Sequence, residues 1–175
     1  MEETTVSIIG IMIAAILMFI VPLIMISDRS DDISQLLVQT ATAEFVDEVI
    51  KSGEITNDKY TKFVGRLAGT GNSYEINMEL KILDENTAKI GDNNTYYSIF
   101  TSQIEDIIGT SGENTNNNRE GKIILKQGDA ISITVKNSSK TLSQSLKNFY
   151  YKTKGADVQI ITATSSGTVA INGAT

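Results

Sequence analysis

The chain has no cysteine, no histidine and no tryptophan, and a single proline in 175 residues. Each absence removes a class of function. Without cysteine there is no disulfide, no thiol nucleophile and no zinc–thiolate site. Without histidine the commonest general base is missing. No S-x-x-K pair, G-x-S-x-G elbow, phosphate-binding P-loop or G-x-G-x-x-G fingerprint occurs. Positive charge is also scarce: 15 Lys and Arg stand against 21 Asp and Glu, a net charge of -6. No stretch gathers the basic residues needed to neutralise phosphates, so nucleic acid is not an expected partner. A polybasic grip on anionic lipid is missing for the same reason. No enzyme is expected, and no catalytic residue, cofactor or metal ligand is assigned.

What is present is a long apolar run. Val6 to Ile26 is 21 residues without a charge, interrupted only by Ser7, Gly10 and Pro22. At about 1.5 Å per residue it makes a helix of roughly 30 Å, the thickness of a bilayer's hydrocarbon core. Such a helix must be hidden, either in lipid or among identical helices. The prefix Met1-Glu2-Glu3-Thr4-Thr5 is acidic, and no small-residue cleavage site follows the run. A cleaved signal peptide would need the reverse, so the segment reads as retained, in a single-pass protein. Arg29 is the only basic residue near either end, so charge barely sets orientation. Pro22 removes one helical hydrogen bond and is expected to bend the helix or open a turn.

The helix is expected to continue. Ile33, Leu36, Leu37, Thr40, Ala41, Phe45, Val49 and Ile50 follow helical spacing, opposite Gln35, Gln39, Glu44, Asp47, Glu48 and Lys51. That stripe is expected to pack on the chain's own domain, and Gly53 to stop the helix. The segments are then 1–27, an apolar transmembrane or filament-core helix; 28–52, its amphipathic continuation; and 53–175, an α+β domain.

Within that domain Thr56-Asn57-Asp58 reads as a cap, before the helical stripe Tyr60, Phe63, Val64 and Leu67. Gly69-Thr70-Gly71-Asn72 ends that helix, and reads as a terminating turn rather than a nucleotide loop. Tyr74 to Ile82 alternates without a fault, with Tyr74, Ile76, Met78, Leu80 and Ile82 on one face. Ser102-Gln103-Ile104-Glu105 fits a capping box for a short helix through Ile108. Residues 109–121 form a polar loop. Lys122–Lys126 and Ala130–Lys136 read as two strands joined by a tight turn at Gln127-Gly128-Asp129. Leu142, Leu146, Phe149 and Tyr150 suggest a further helix. Val158, Ile160, Val169 and Ile171 suggest a closing hairpin around Ser165-Ser166-Gly167. The class is α+β, a long N-terminal helix followed by a mainly antiparallel sheet with short helices.

Little of the polar chemistry is specific. Glu75 and Glu79 read as a solvated strand face. Asp84-Glu85-Asn86 with Asp92-Asn93-Asn94 offers oxygen ligands but lacks the D-x-[DN]-x-[DN]-G spacing of a calcium loop. Asn93-Asn94-Thr95 and Asn137-Ser138-Ser139 match the glycosylation sequon, a short pattern that arises by chance.

An acid beside an apolar run (Glu2 or Glu3), Met1 in the place of a processed N-terminus, and Pro22 inside the run are together similar to the type IV pilin superfamily. This includes pseudopilins and tight-adherence pilus components. The resemblance covers the first third of the chain; beyond it only the architecture agrees. Thr5 stands where pilins typically carry a glutamate, and the C-terminal pilin disulfide is absent. The resemblance implies a structural subunit of a cell-surface filament that passes through the cytoplasmic membrane before assembly. Its partners would be copies of itself and the pilus assembly machinery. The assembly residues it implies are Met1, Glu2, Glu3, Ile8, Ile9, Ile11, Ile13, Ile16, Leu17, Phe19, Ile20, Pro22, Leu23 and Ile24. The rival expectation is a single-pass anchored extracytoplasmic binding or scaffold protein of a secretion or conjugation machine.

Overall fold

A computed structural model of the chain describes residues 2–83, 96–109, 121–141, 144–145 and 160–173. The fold is α+β. In chain order the elements are α1 (Glu2–Ser52), β1 (Glu54–Thr56), α2 (Asn57–Ala68), β2 (Tyr74–Leu83), β3 (Tyr96–Phe100), α3 (Thr101–Gly109), β4 (Lys122–Ile124), β5 (Ala130–Asn137) and β6 (Thr162–Thr168). Two compact units divide the chain: Met1–Ser34 with Lys140–Ile160, and Gln35–Ser139 with Ile161–Thr175.

In the first unit α1 passes through Pro22 as uninterrupted helix. Thr141 and Gln144 form a reciprocal capping box. The Gln144 side chain accepts from Thr141 N–H (3.2 Å), and the Thr141 hydroxyl accepts from Gln144 N–H (3.2 Å). The Thr141 hydroxyl in turn donates to the Asp31 carboxylate of α1 at 2.7 Å. The T-x-x-Q spacing carried this signal in the sequence. The expected helical positions Leu142, Leu146, Phe149 and Tyr150 lie outside the described residues, as does Val158.

In the second unit the four-stranded sheet runs β3-β2-β5-β6, antiparallel throughout. Tyr74–Leu83 is the strand its alternation predicts. Its inner positions Met78 and Leu80 are buried opposite Ile133 and Ile131 of β5. The C-terminal half of α1 adds Val38, Ala41, Phe45, Val46 and Val49 to this core, and α2 adds Phe63 and Leu67. Phe45 and Phe63 stack at 4.7 Å. The α2 cap is as expected: Thr56 Oγ1 accepts from Lys59 N–H. Gly53 ends α1 at φ +67°, its N–H donating to Val49 O (2.8 Å) and its carbonyl accepting from Leu125 N–H (2.7 Å).

Several expectations are corrected. Ser102 and Glu105 do not form a capping box. Gln103 Oε1 takes the Phe100 N–H (3.1 Å), while Glu105 accepts the Tyr60 hydroxyl at 2.5 Å. The first residue of α3 is Thr101, whose hydroxyl bonds both the N–H and the carbonyl of Met78. The tight turn at Gln127–Asp129 forms, but it joins two sheets rather than closing a hairpin, because β4 pairs with β1 and β5 with β2 and β6. No hairpin turns at Ser165-Ser166-Gly167, which lie inside β6. Their small size serves packing: Ile50 of α1 sits over Gly167, where a Cβ would come within 2.3 Å of Ile50 Cδ1. β1 and β3 were not expected at all.

Candidate functional site

The stripe of α1 differs from the sequence expectation by one step of rotation. Ser34, Val38, Ala41, Thr42, Phe45, Val46 and Val49 are buried. Of the expected stripe, Ile33 (59% exposed), Leu36 (65%), Leu37 (36%) and Thr40 face outward. At 100° per residue the buried set occupies one arc, and Ile33, Leu36 and Leu37 the opposite one. Hydrophobicity alone cannot separate these faces. The faces are separated by what lies beside them in the fold: Val38, Ala41, Phe45, Val46 and Val49 share one core with Phe63, Leu67 and the inner residues of the sheet.

Among the described residues the apolar run has almost no partner. Its large side chains from Val6 to Ile26 are 45–77% exposed, Ile20 and Ile24 being the half-buried exceptions. Of the residues assigned to assembly, Ile8, Ile9, Ile11, Ile13, Ile16, Leu17, Phe19, Pro22 and Leu23 are exposed on all sides of the helix. Ile20 and Ile24 lie on the arc that continues to Ser27, Asp31 and Ser34. Glu3 is exposed; Met1 and the Glu2 side chain lie outside the described residues. Val6, Met12, Met18, Val21, Met25 and Ile26 belong to the same surface. By length and composition α1 can cross a membrane, and its most apolar stretch has no buried residue. Pro22 lacks the N–H that would bond the Met18 carbonyl, so that carbonyl needs a partner or water wherever the helix is placed.

A second feature is a cleft of about 420 Å³ between α1 and α2. Phe45 and Phe63 floor it, and Glu44 of α1 pairs with Arg66 of α2 across it. Beside it Lys59 reaches Glu54 (3.2 Å) and Ser52 Oγ (2.8 Å). Glu44–Arg66 joins α1 to α2, and Lys59 ties α2 to β1 and to Ser52 at the end of α1. The exposed Glu44–Arg66 pair contributes roughly 0–1 kcal/mol, whereas Lys59 and Glu54 are largely buried.

No protein-family model matches the chain, and no curated protein or solved structure matches it. The site is read from its own chemistry. Among the described residues no group of three acidic side chains is placed to hold a metal ion, and the Asp84–Asn94 cluster lies outside them. Asn93-Asn94-Thr95 does too. Asn137 is described: its Oδ1 accepts from Ser139, and its Nδ2, the atom a glycan would take, is buried. The sequon at Asn137 is therefore closed in the folded domain.

Proposed function

We propose that this chain is a structural subunit of a pilus-like cell-surface filament, assembled through its N-terminal helix. The observation that carries the reading is the extent of exposed apolar surface. A bilayer covers about 20 residues of helix, which the run Val6–Ile26 already fills. Ile33, Leu36 and Leu37 stay exposed beyond it. Leu37 follows Ile26 by 11 residues, past the charges of Asp28, Arg29, Asp31 and Asp32. Four charges in succession do not enter lipid tails, so in this reading Ile33, Leu36 and Leu37 are covered by neighbouring copies of the same helix. Covering the apolar half removes on the order of 1,500–2,000 Å² from water, an upper bound of tens of kcal/mol before entropy costs.

In this reading the membrane holds the subunit before assembly, and neighbours then replace lipid. Glu2 or Glu3 neutralises a neighbour's N-terminal amine, since an unpaired charge in a dry core is heavily penalised. The assembly machinery that extracts the subunit is the implied partner, and no active site is required. The second reading, a single-pass anchored binding or scaffold protein, is favoured by the membrane length of the run.

The test is negative-stain electron microscopy of material sheared from the cell surface, with mass spectrometry of the N-terminal peptide. Thin filaments containing this chain are expected. Recovery solely in the detergent-extracted membrane fraction, with no filaments, rejects the proposal and leaves the anchored protein.

A further inference from the structure

Among the described residues the two outer strands of the four-stranded sheet offer open backbone, at Thr164, Ser166 and Thr168 of β6 and at Tyr96 and Ser98 of β3, where Gln103 already takes the Phe100 N–H. In β6 the direction of each hydrogen-bonding pair follows from its ends. Asn137 N–H donates to Ile161 O (2.8 Å) and Val169 N–H to Asp129 O (2.7 Å), so odd-numbered residues face β5. The register from Thr162 to Thr168 is one-to-one without a bulge, so the even-numbered residues face away from the sheet. Gln35 supports this directly. Its side-chain oxygen accepts from Thr162 N–H (3.0 Å) and its nitrogen donates to Thr162 O (2.7 Å), as a neighbouring strand would. Beyond Gln35, the outward N–H and C=O of Thr164, Ser166 and Thr168 have no partner among the described residues.

Natural sheets guard such edges with Lys, Pro, inward charges or bulges. β6 has none of these: residues 158–175 carry no charge. β3, the opposite edge, lies in residues 93–104, which are also uncharged, and it exposes Tyr96 (44%) and Phe100 (57%). In a chain of net charge -6, two copies repel one another over most of their surface. Besides the uncharged run of α1, these two uncharged edges are places where they can meet. Strand polarity also fits. With four strands alternating in direction, β6 and β3 run opposite ways. A copy placed alongside in the same orientation therefore sets its β3 antiparallel to β6, with inner faces kept on one side. The β6 edge adjoins the exposed apolar face of α1, because Gln35, which caps it, precedes Leu36 and Leu37.

We infer that the β6 edge of one copy pairs with the β3 edge of the next, joining neighbouring subunits through a shared antiparallel sheet. The choice of a second copy as the occupant rests on the filament reading. Heterologous pairing of this kind leaves a free edge at each end and so propagates.

The absence of native cysteine permits a direct test. The full chain carrying Ser98→Cys and Ser166→Cys is treated with a short bifunctional thiol reagent, both as sheared surface material and after detergent removal. The expected result is a ladder of dimers, trimers and higher species on denaturing gels, and monomers from either single variant. Adding Thr164→Lys, a charge on the edge, should reduce the ladder at least tenfold. Dimers from Ser166→Cys alone would replace the proposal with a two-fold β6–β6 contact. Monomers from the double variant overturn it, whether the edges are empty or hold another protein's strand. Filaments seen by microscopy with no ladder reject the edge pairing and keep the filament reading. A ladder without filaments keeps the pairing and rejects the filament.

Discussion

The two halves of α1 present opposite relations between hydrophobicity and burial. Val6–Ile26 is the most apolar stretch of the chain and the most exposed. The half from Gln35 to Ser52 carries Gln35, Gln39, Glu44, Asp47, Glu48 and Lys51, yet supplies much of the core. The difference teaches that apolar content alone does not say what a helix packs against. An all-round apolar surface has no face to give the chain's own sheet. A narrow stripe of Val, Ala, Thr and Phe does.

The contrast is sharpest between two adjacent residues. Leu37 is 36% exposed and Val38 is 0%. Val38→Asp buries an unpaired carboxylate and should cost about 4 kcal/mol or more, enough to unfold a domain of ordinary stability. Leu37→Asp should leave the urea midpoint within about 0.5 kcal/mol of the parent, while removing filaments from the cell surface. If both variants unfold, the rotated stripe is wrong. If Leu37→Asp, alone or with Leu36→Asp, still assembles, the outward face is not an interface.

Glycine gives the next largest contrast. Gly53 needs φ +67°, and a Cβ there would meet Gly173 N at 2.4 Å and Ile171 O at 2.8 Å, both backbone. Gly53→Ala should cost about 3 kcal/mol, from the left-handed conformation and the forced backbone shift together. In the other half Gly10 has nothing within 4 Å of its would-be Cβ. Gly10→Ala should gain up to about 1 kcal/mol of helix stability. Thermal melts followed by circular dichroism in micelles read both; a Gly53→Ala midpoint equal to the parent would contradict the close approach to Gly173.

These contrasts also mark what the sequence could disclose. Elements whose signal is local were legible. The alternation of Tyr74–Ile82, the Thr56 cap, the Gly53 stop and the apolar run each depend on neighbours in sequence. What escaped depends on residues far apart. Ser165-Ser166-Gly167 looks like a turn until Ile50 is placed over Gly167. β1 is three residues long and exists because Ile55 meets Ile123 of β4. β3 has no clean alternation, being an edge with exposed aromatics. The rotation of the α1 stripe was hidden because Ile33, Leu36 and Leu37 are as apolar as the residues that are buried. The candidate surface was legible as far as Ile26; its extension to Leu37 was not.

Asp129 sharpens the packed side of the comparison with a polar group. It is 2% exposed, and its carboxylate accepts the N–H of Leu83 (2.9 Å) and of Lys126 (2.7 Å). It therefore ties the end of β2 to the turn before β5. Asp129→Ala leaves two donors without this acceptor and should cost about 2 kcal/mol, read as a lower urea midpoint. An unchanged midpoint would mean that water replaces the carboxylate, and that this corner is as open as the apolar half of α1.

The smallest effect expected is a pH dependence that the packed half has and the exposed half lacks. Tyr60 of α2 is half-buried and donates to Glu105 of α3 at 2.5 Å. Burial first, and then the Glu105 hydrogen bond and charge, raise its ionisation well above the ordinary value near 10. The folded chain thus keeps the phenol proton at a pH where the unfolded chain releases it. The resulting stabilisation is full below about pH 10 and declines as pH rises above it. Tyr60→Phe removes the hydrogen bond and should cost about 1 kcal/mol at neutral pH. It should also remove this contribution to the alkaline fall. Urea midpoints of parent and variant between pH 8 and 11 are expected to converge above pH 10, because lysine titration is common to both. Curves that stay parallel would show that Tyr60 ionises as freely in the fold as in water, and would loosen the contact between α2 and α3.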